Sequence, residues 1–217
     1  MVRYFPFKLM EQKHMNAVVF TPDNEPYLGR ESVLAFDQLI VECLKSNSKI
    51  VPRTHNIVKN EIQWAACQLV PAGISLALSI RELVRQGYLY GALVLIRPLA
   101  ERTVILLWLH RFPEKVDVWK RGWKHNERPS LAKMFNDIGG EKFPNCGPEI
   151  TKSLNSLTHG DPASAMWNLI ETEPGKVGHA VSKLLERPDI CDKVCMDTAT
   201  WMAVLLGVMH AIFPTQK

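Results

Sequence analysis

The sequence predicts an all-α fold: an antiparallel helical bundle of four or five long helices with a short irregular N-terminal segment. Apolar residues recur at three- and four-residue spacing over long stretches, the signature of helices that bury one face. Clusters of turn-forming residues separate these stretches, as in TPDNEPYLG and EPGKVG. No alternating strand pattern of useful length occurs, nor any repeat period or low-complexity tract. The expected organisation is an irregular segment over residues 1–29 and a single helical domain over 30–217.

The first helix begins near Glu31, where Val33, Phe36, Ile40, Cys43 and Leu44 share a face, and SNSKIVPRTH is expected to break it. A longer helix follows from about Asn60 to Gln86, bent or interrupted at Pro71-Ala72-Gly73 and stopped by Gly87. A third covers about Tyr88 to Arg111. Pro113 opens a fourth through PEKVDVWKRGWKH, with proline and glutamate in its first turn. GGEKFPNCGPE reads as a loop, and a shorter helix leads into SLNSLTHGDP, stopped by Gly160 and Pro162. The last helix runs from about Pro188 to Phe213. It is amphipathic at first and then apolar nearly all round, as a deep core helix would be.

A chain of 217 residues can bury a core without disulfides or metal. Hydrophobic residues at 47%, charged residues at 22% and a net charge of +4 argue for no particular class of partner. Five cysteines are an odd number and suggest a reducing compartment, so a cytoplasmic location is expected. Residues 1–16 have no secretory signal pattern. Two stretches without charge, Ile62 to Ile80 and Thr198 to Gln216, approach membrane-spanning length. Their glutamines, prolines and glycines, with a near-neutral mean hydropathy, favour buried core helices. A C-terminal tail anchor is the weaker reading.

The run LVLIRPLAERTVILLWL, Leu93 to Leu109, carries Arg97, Glu101 and Arg102 in its middle. Unpaired charges there would each cost several kcal/mol, so partners are required. Arg97 and Glu101 are four apart and share a helical face. Pro98 between them removes a backbone donor and crowds the carbonyl of Val94, so a kink or restart is expected. Either Arg97 and Glu101 form a buried clamp, or they line a polar pocket inside the bundle. His159 is the first candidate to join such a pocket, with Asn155 and Ser156 one turn before it. A histidine that caps its own helix is the plainer alternative.

SIRELVRQG, ALVLIRPLAERTVILLWL and the later SLTHG together resemble a family of uncharacterised bacterial helical proteins. That family is itself similar to the helical ribonuclease-toxin superfamily named for higher eukaryotes and prokaryotes. The resemblance covers about Asn60 to Gly160. It matches Arg97 and Glu101 to one motif, and Ser156 and His159 to another. It implies a bundle whose polar residues meet inside, and a ribonuclease in which His159 acts as acid or base and Arg97 stabilises the phosphorane. Active members carry an arginine shortly before the histidine on one helix. Here Ser153, Leu154 and Asn155 stand there instead.

Trp119 and Trp123, with Lys120 and Lys124 beside them, could grip a nucleic-acid strand, although an amphipathic surface helix looks the same. Cys191 and Cys195 lie one turn apart, too few for a metal site. No phosphate loop, nucleophile elbow, zinc-protease pair or dinucleotide fingerprint occurs, so no cofactor and no metal are expected. The expectation is a self-associating or partner-binding module with an internal Arg/Glu/His cluster, a dimer being favoured. The alternatives are a metal-independent ribonuclease-like toxin or phage-defence protein acting on RNA, and a small-molecule or nucleotide sensor.

Overall fold

The computed structural model describes residues 25–55, 57–124, 127–140, 146–156, 158, 162, 169–179 and 188–214. The described residues are all-α apart from one hairpin. Among the described residues, four helices of 23 to 25 residues dominate: α1 (Glu31–His55), α2 (Glu61–Arg85), α3 (Leu89–Arg111) and α7 (Pro188–Ile212). Shorter helices are α4 (Val116–Lys120), α5 (Leu131–Gly139) and α6 (Cys146–Ser156).

α2 shows why its ends fall where they do. The Asn60 side chain accepts from the Gln63 amide at 2.9 Å, and the Gln63 side chain accepts from the Asn60 amide at 3.1 Å. This reciprocal cap satisfies two amide donors that the first turn leaves open. At the other end Gly87, with φ +79°, donates to the Val84 carbonyl, and Tyr88 donates to that of Leu83. Only a residue at ease in the left-handed region closes a helix this way. Only three residues separate the end of α2 from the start of α3.

None of the three prolines interrupts its helix. α1 runs through Pro52 to His55, α2 through Pro71, and α3 through Pro98 without restarting. Each proline removes one helical hydrogen bond. Burial on either side outweighs that loss: Ile50 and Thr54 extend the α1 stripe, and α3 buries residues from Leu89 to Leu109. Pro52 is itself exposed, as is Ser48, whose carbonyl it leaves unbonded, so water can serve that carbonyl.

The core lies where α2 and α3 pack together, with α7 against α1, α2 and α3. Phe36, Ile80, Leu99, Leu106, Met202 and Leu205 are among its fully buried side chains. α2 and α7 approach closely at Gly73: a Cβ there would lie 2.6 Å from Leu205 Cδ2. Both helices are also long and apolar enough to cross a membrane by length and composition alone.

Other boundaries differ from the sequence reading. The helix expected over PEKVDVWKRGWKH is a 3₁₀ turn at Pro113–Lys115 and the five residues of α4, ended before Gly122 at φ +75°. α5 was not expected; its Met134, Phe135 and Ile138 face the core, and Ser130 caps it. α6 begins at Cys146, inside the presumed loop. β1 (Leu169–Glu173) and β2 (Lys176–His179) form an antiparallel hairpin where no strand was expected, with Leu169 opposite His179 and Gly175 at φ +76° in the turn. Strands of five and four residues offer too little alternation to detect. Of the N-terminal segment, residues 1–24 lie outside the described residues. Residues 25–30 form a turn that packs on the bundle, with Tyr27 buried.

Candidate functional site

α3 is apolar on most of its circumference, so its charged groups emerge only where neighbouring elements arrive. Arg97, Glu101 and Arg102 are all half-buried. Arg102 Nη1 donates to the Pro98 carbonyl at 3.0 Å, along its own helix. Arg97 Nη1 donates to Thr158 Oγ1 at 2.8 Å. Thr158 closes the turn after α6, where both its amide and its hydroxyl donate to the Asn155 carbonyl, at 3.0 and 3.1 Å. Arg97 therefore sets a cation at the C-terminal end of α6, where the helix dipole is negative.

Glu101 has a different partner. Its carboxylate forms an ion pair with Arg128, from the segment leading into α5, and that guanidinium lies 5.4 Å from the Trp123 ring centroid. Arg97 and Glu101, for which a mutual clamp was one of the two readings, are thus each tied to a different neighbour. One holds α6 and the other the approach to α5.

α6 is fixed at its other end as well. The Gly147 amide donates to Asn136 Oδ1 at 3.0 Å, and a Cβ on Gly147 would lie 2.1 Å from the Ala132 carbonyl oxygen. α5 is in turn held on α3 by Trp108 Nε1, which donates to Asp137 Oδ2 at 3.0 Å. Between these anchors, Thr151 Oγ1 and Asn155 Oδ1 are buried without a hydrogen-bond partner. Two orphaned polar atoms four residues apart on one face are uncommon in a settled interior. Their spacing was visible in the sequence, but nothing there marked them as unsatisfied.

Of the other sequence candidates, Ser156 Oγ donates to the Ser153 carbonyl at 3.0 Å. His159 lies outside the described residues. Trp119 and Trp123 pack half-buried against the core, and because α4 ends at Lys120 they do not form one helical face. Lys120 is ion-paired with Glu61. Lys124 is exposed, and its amide donates to Glu127 Oε2 at 3.3 Å.

A second charged cluster ties residues 25–32 to the bundle. Arg81 Nε donates to Asp37 Oδ1 at 2.5 Å, and Arg81 and Arg85 both reach Glu25. Asp192 accepts from Arg30 and Ser32, and the Arg30 bond is the main reason its pKa falls to about 2. Arg85 lowers Glu82 to about 2 in the same way. Cys191 and Cys195 are buried; their mutual hydrogen bond pushes Cys191 up and Cys195 down. Among the described residues no three His, Cys, Asp or Glu side chains gather as a metal site would need.

Comparison with known proteins adds one finding. Residues 63–121 match the model of a family of unknown function, DUF5677. No curated protein and no solved structure matches the chain. The matched stretch runs from the first turn of α2 through α3 to the end of α4, and so contains Arg97 and Glu101 but not their partners Thr158 and Arg128.

Proposed function

We propose that the protein is a self-associating helical module whose α1 helices pair antiparallel across a two-fold axis. The observation that carries this is the outer face of α1. Leu34, Val41 and Leu44 are 48%, 45% and 41% exposed, while Phe36, Ile40 and Cys43 on the inner face are buried. Leu34 and Val41 are seven apart and Leu44 three further, one stripe along the helix. At its start Leu28, Ala35 and Met196 border a shallow concavity that also holds the Arg30–Asp192 ion pair. Charge is ordered along the same helix: Glu31 and Glu42 come first, then Lys45, Lys49 and Arg53, with Glu42 also 2.9 Å from Lys45. An antiparallel copy sets acidic half against basic half, which fixes direction as well as contact. The scaffold behind this face reads as an antiparallel bundle of α1, α2, α3 and α7, since five residues join α1 to α2 and three join α2 to α3.

Light scattering on the full chain tests this. A dimer is expected, and Val41→Glu with Leu44→Glu should weaken it by at least about tenfold, or 1.4 kcal/mol, with helical content unchanged. A chain that stays monomeric at high concentration overturns the reading, as does a double variant that still pairs.

A second reading is favoured by the orphaned Thr151 Oγ1 and Asn155 Oδ1 beside the turn that Arg97 grips. Here the cluster is a ligand site. In its ribonuclease form, His159 transfers the proton at a ribose 2′-hydroxyl, and Arg97 stabilises the charge of the phosphorane. A sensor for a nucleotide or small molecule would use the same groups for binding only. RNA cleavage lost in both His159→Ala and Arg97→Met, with folding intact, supports the enzyme. Cleavage absent from the native chain removes it.

A further inference from the structure

The last turns of α1, the first half of α2 and the end of α7 line a half-open cavity of about 180 Å³. None of its lining residues belongs to the Arg97 cluster or to the outer stripe of α1. Ile50, Ala66, Val70 and Phe213 supply buried apolar wall. No lysine, arginine, aspartate or glutamate lines it. Its polar side chains are those of Asn47, Thr54 and Cys67, and only the Asn47 amide has full hydrogen-bonding capacity. The Thr54 hydroxyl donates to the Val51 carbonyl at 2.7 Å. Burial pushes the Cys67 thiol up, so it carries no fixed charge into the wall and reacts slowly.

One polar atom in this wall lacks the partner its helix would give it. Pro71 has no N–H, so it offers nothing to the carbonyl of Cys67 four residues earlier, and both residues line the cavity. An acceptor without its helical donor is favourable for a guest that brings one. The space is slightly larger than the roughly 150 Å³ apolar cavity that stays dry and takes benzene. We propose that this cavity is a binding site for a small uncharged aromatic molecule with one hydrogen-bond donor, of the size of phenol or indole. A carboxylate or an amine of the same size finds no counter-charge there and is excluded by the cost of desolvation.

The experiment follows Cys67 in the intact protein. The chain is alkylated with iodoacetamide in the presence of rising indole, and the rate is read on the peptide carrying Cys67. Indole should slow Cys67 saturably, by about tenfold once it exceeds its Kd about tenfold, and should raise Tm over the same range. Benzoate at equal concentration should do neither. Ala66→Leu, which fills the cavity, should abolish the Tm response. Should that variant fail to fold, Cys67→Ala keeps the question open to measurement, since it must retain the indole-dependent rise in Tm. Overturning results are a Cys67 rate indifferent to indole up to its solubility, equal slowing at every cysteine, or benzoate acting as well as indole.

Discussion

Arg128 holds the Glu101 carboxylate from outside α3, while Arg97, one turn earlier on the same helix, gives its Nη1 to Thr158. Two charges that the sequence sets four apart in an apolar run thus serve different neighbours. Each emerges where a short element meets the long-helix core, and each is only half-buried. Tolerance of charge in this run comes from position at an edge, not from a sealed pair.

That distinction predicts a modest effect of Glu101→Gln. The Glu101 side chain is 27% exposed and Arg128 is 52% exposed, so their attraction is screened, and the substitution should cost less than about 1 kcal/mol. A sealed ion pair broken on one side would cost about 3 to 5 kcal/mol instead. Urea unfolding of Glu101→Gln, Arg128→Ala and the double variant separates the cases. A coupling above about 3 kcal/mol would contradict the edge placement.

Arg97→Met should loosen one helix and leave the rest alone. Hydrogen bonds to charged groups contribute about 1.5 to 3 kcal/mol, so amides of α6 near Asn155 should exchange roughly ten- to a hundredfold faster. Amides in α2 and α7 should keep their rates. Uniform acceleration across the chain would mean that Arg97 supports the core itself.

Acid should weaken the tie between residues 25–32 and α7. Asp192 and Glu82 titrate near 2, against 3.8 and 4.5 for the free side chains, because Arg30 and Arg85 hold the ionised forms. A depressed folded pKa contributes stability that is complete above about pH 4.5 and is lost as pH falls towards 2. Asp192→Asn should therefore be less stable than the native chain at pH 6 and indistinguishable from it near pH 2. With Asp192 and Arg30 each 37% exposed, the gap at pH 6 should stay within about 1 kcal/mol. Denaturation midpoints across this range give the answer, and a gap that grows in acid would refute the assignment.

How much of this was legible in the sequence depends on whether a signal was local. The ends of α2 and α3 were, because Asn60, Gly87 and Tyr88 fix them through neighbours a few residues away. Pro52 misled for the complementary reason, and Pro71 and Pro98 do not interrupt their helices either. Their local penalty is real, but tertiary burial of Ile50, Val70 and Leu99 around them is larger and leaves no local mark. α5 could have been found from the spacing of Leu131, Met134, Phe135 and Ile138 behind the Ser130 cap. The partners of Arg97 and Glu101 could not. Thr158 lies 61 residues beyond Arg97, and Arg128 belongs to a segment with no helical periodicity to place it beside Glu101. The orphaned atoms of Thr151 and Asn155 exist only because α6 is pressed where it is.

That pressure rests on Gly147, which makes the last prediction. α6 begins so close to α5 that any Cβ at this position meets the Ala132 carbonyl oxygen at 2.1 Å, its carbon at 2.8 Å and Asn136 Oδ1 at 2.8 Å. A backbone carbonyl does not yield as a side-chain end would, so alanine must push the two helices apart. Overpacking of this kind costs about 1 to 3 kcal/mol, well above the gain of up to about 1 kcal/mol that alanine brings to a helix. The shift should also break the hydrogen bond from the Gly147 amide to Asn136 and move Thr158 away from Arg97. Gly147→Ala should consequently expose α6 to hydrogen exchange much as Arg97→Met does, while also lowering the urea midpoint. If the variant keeps native stability and a protected α6, the helices are not in contact at this point, and the polar cluster beneath α6 loses its enclosure with them.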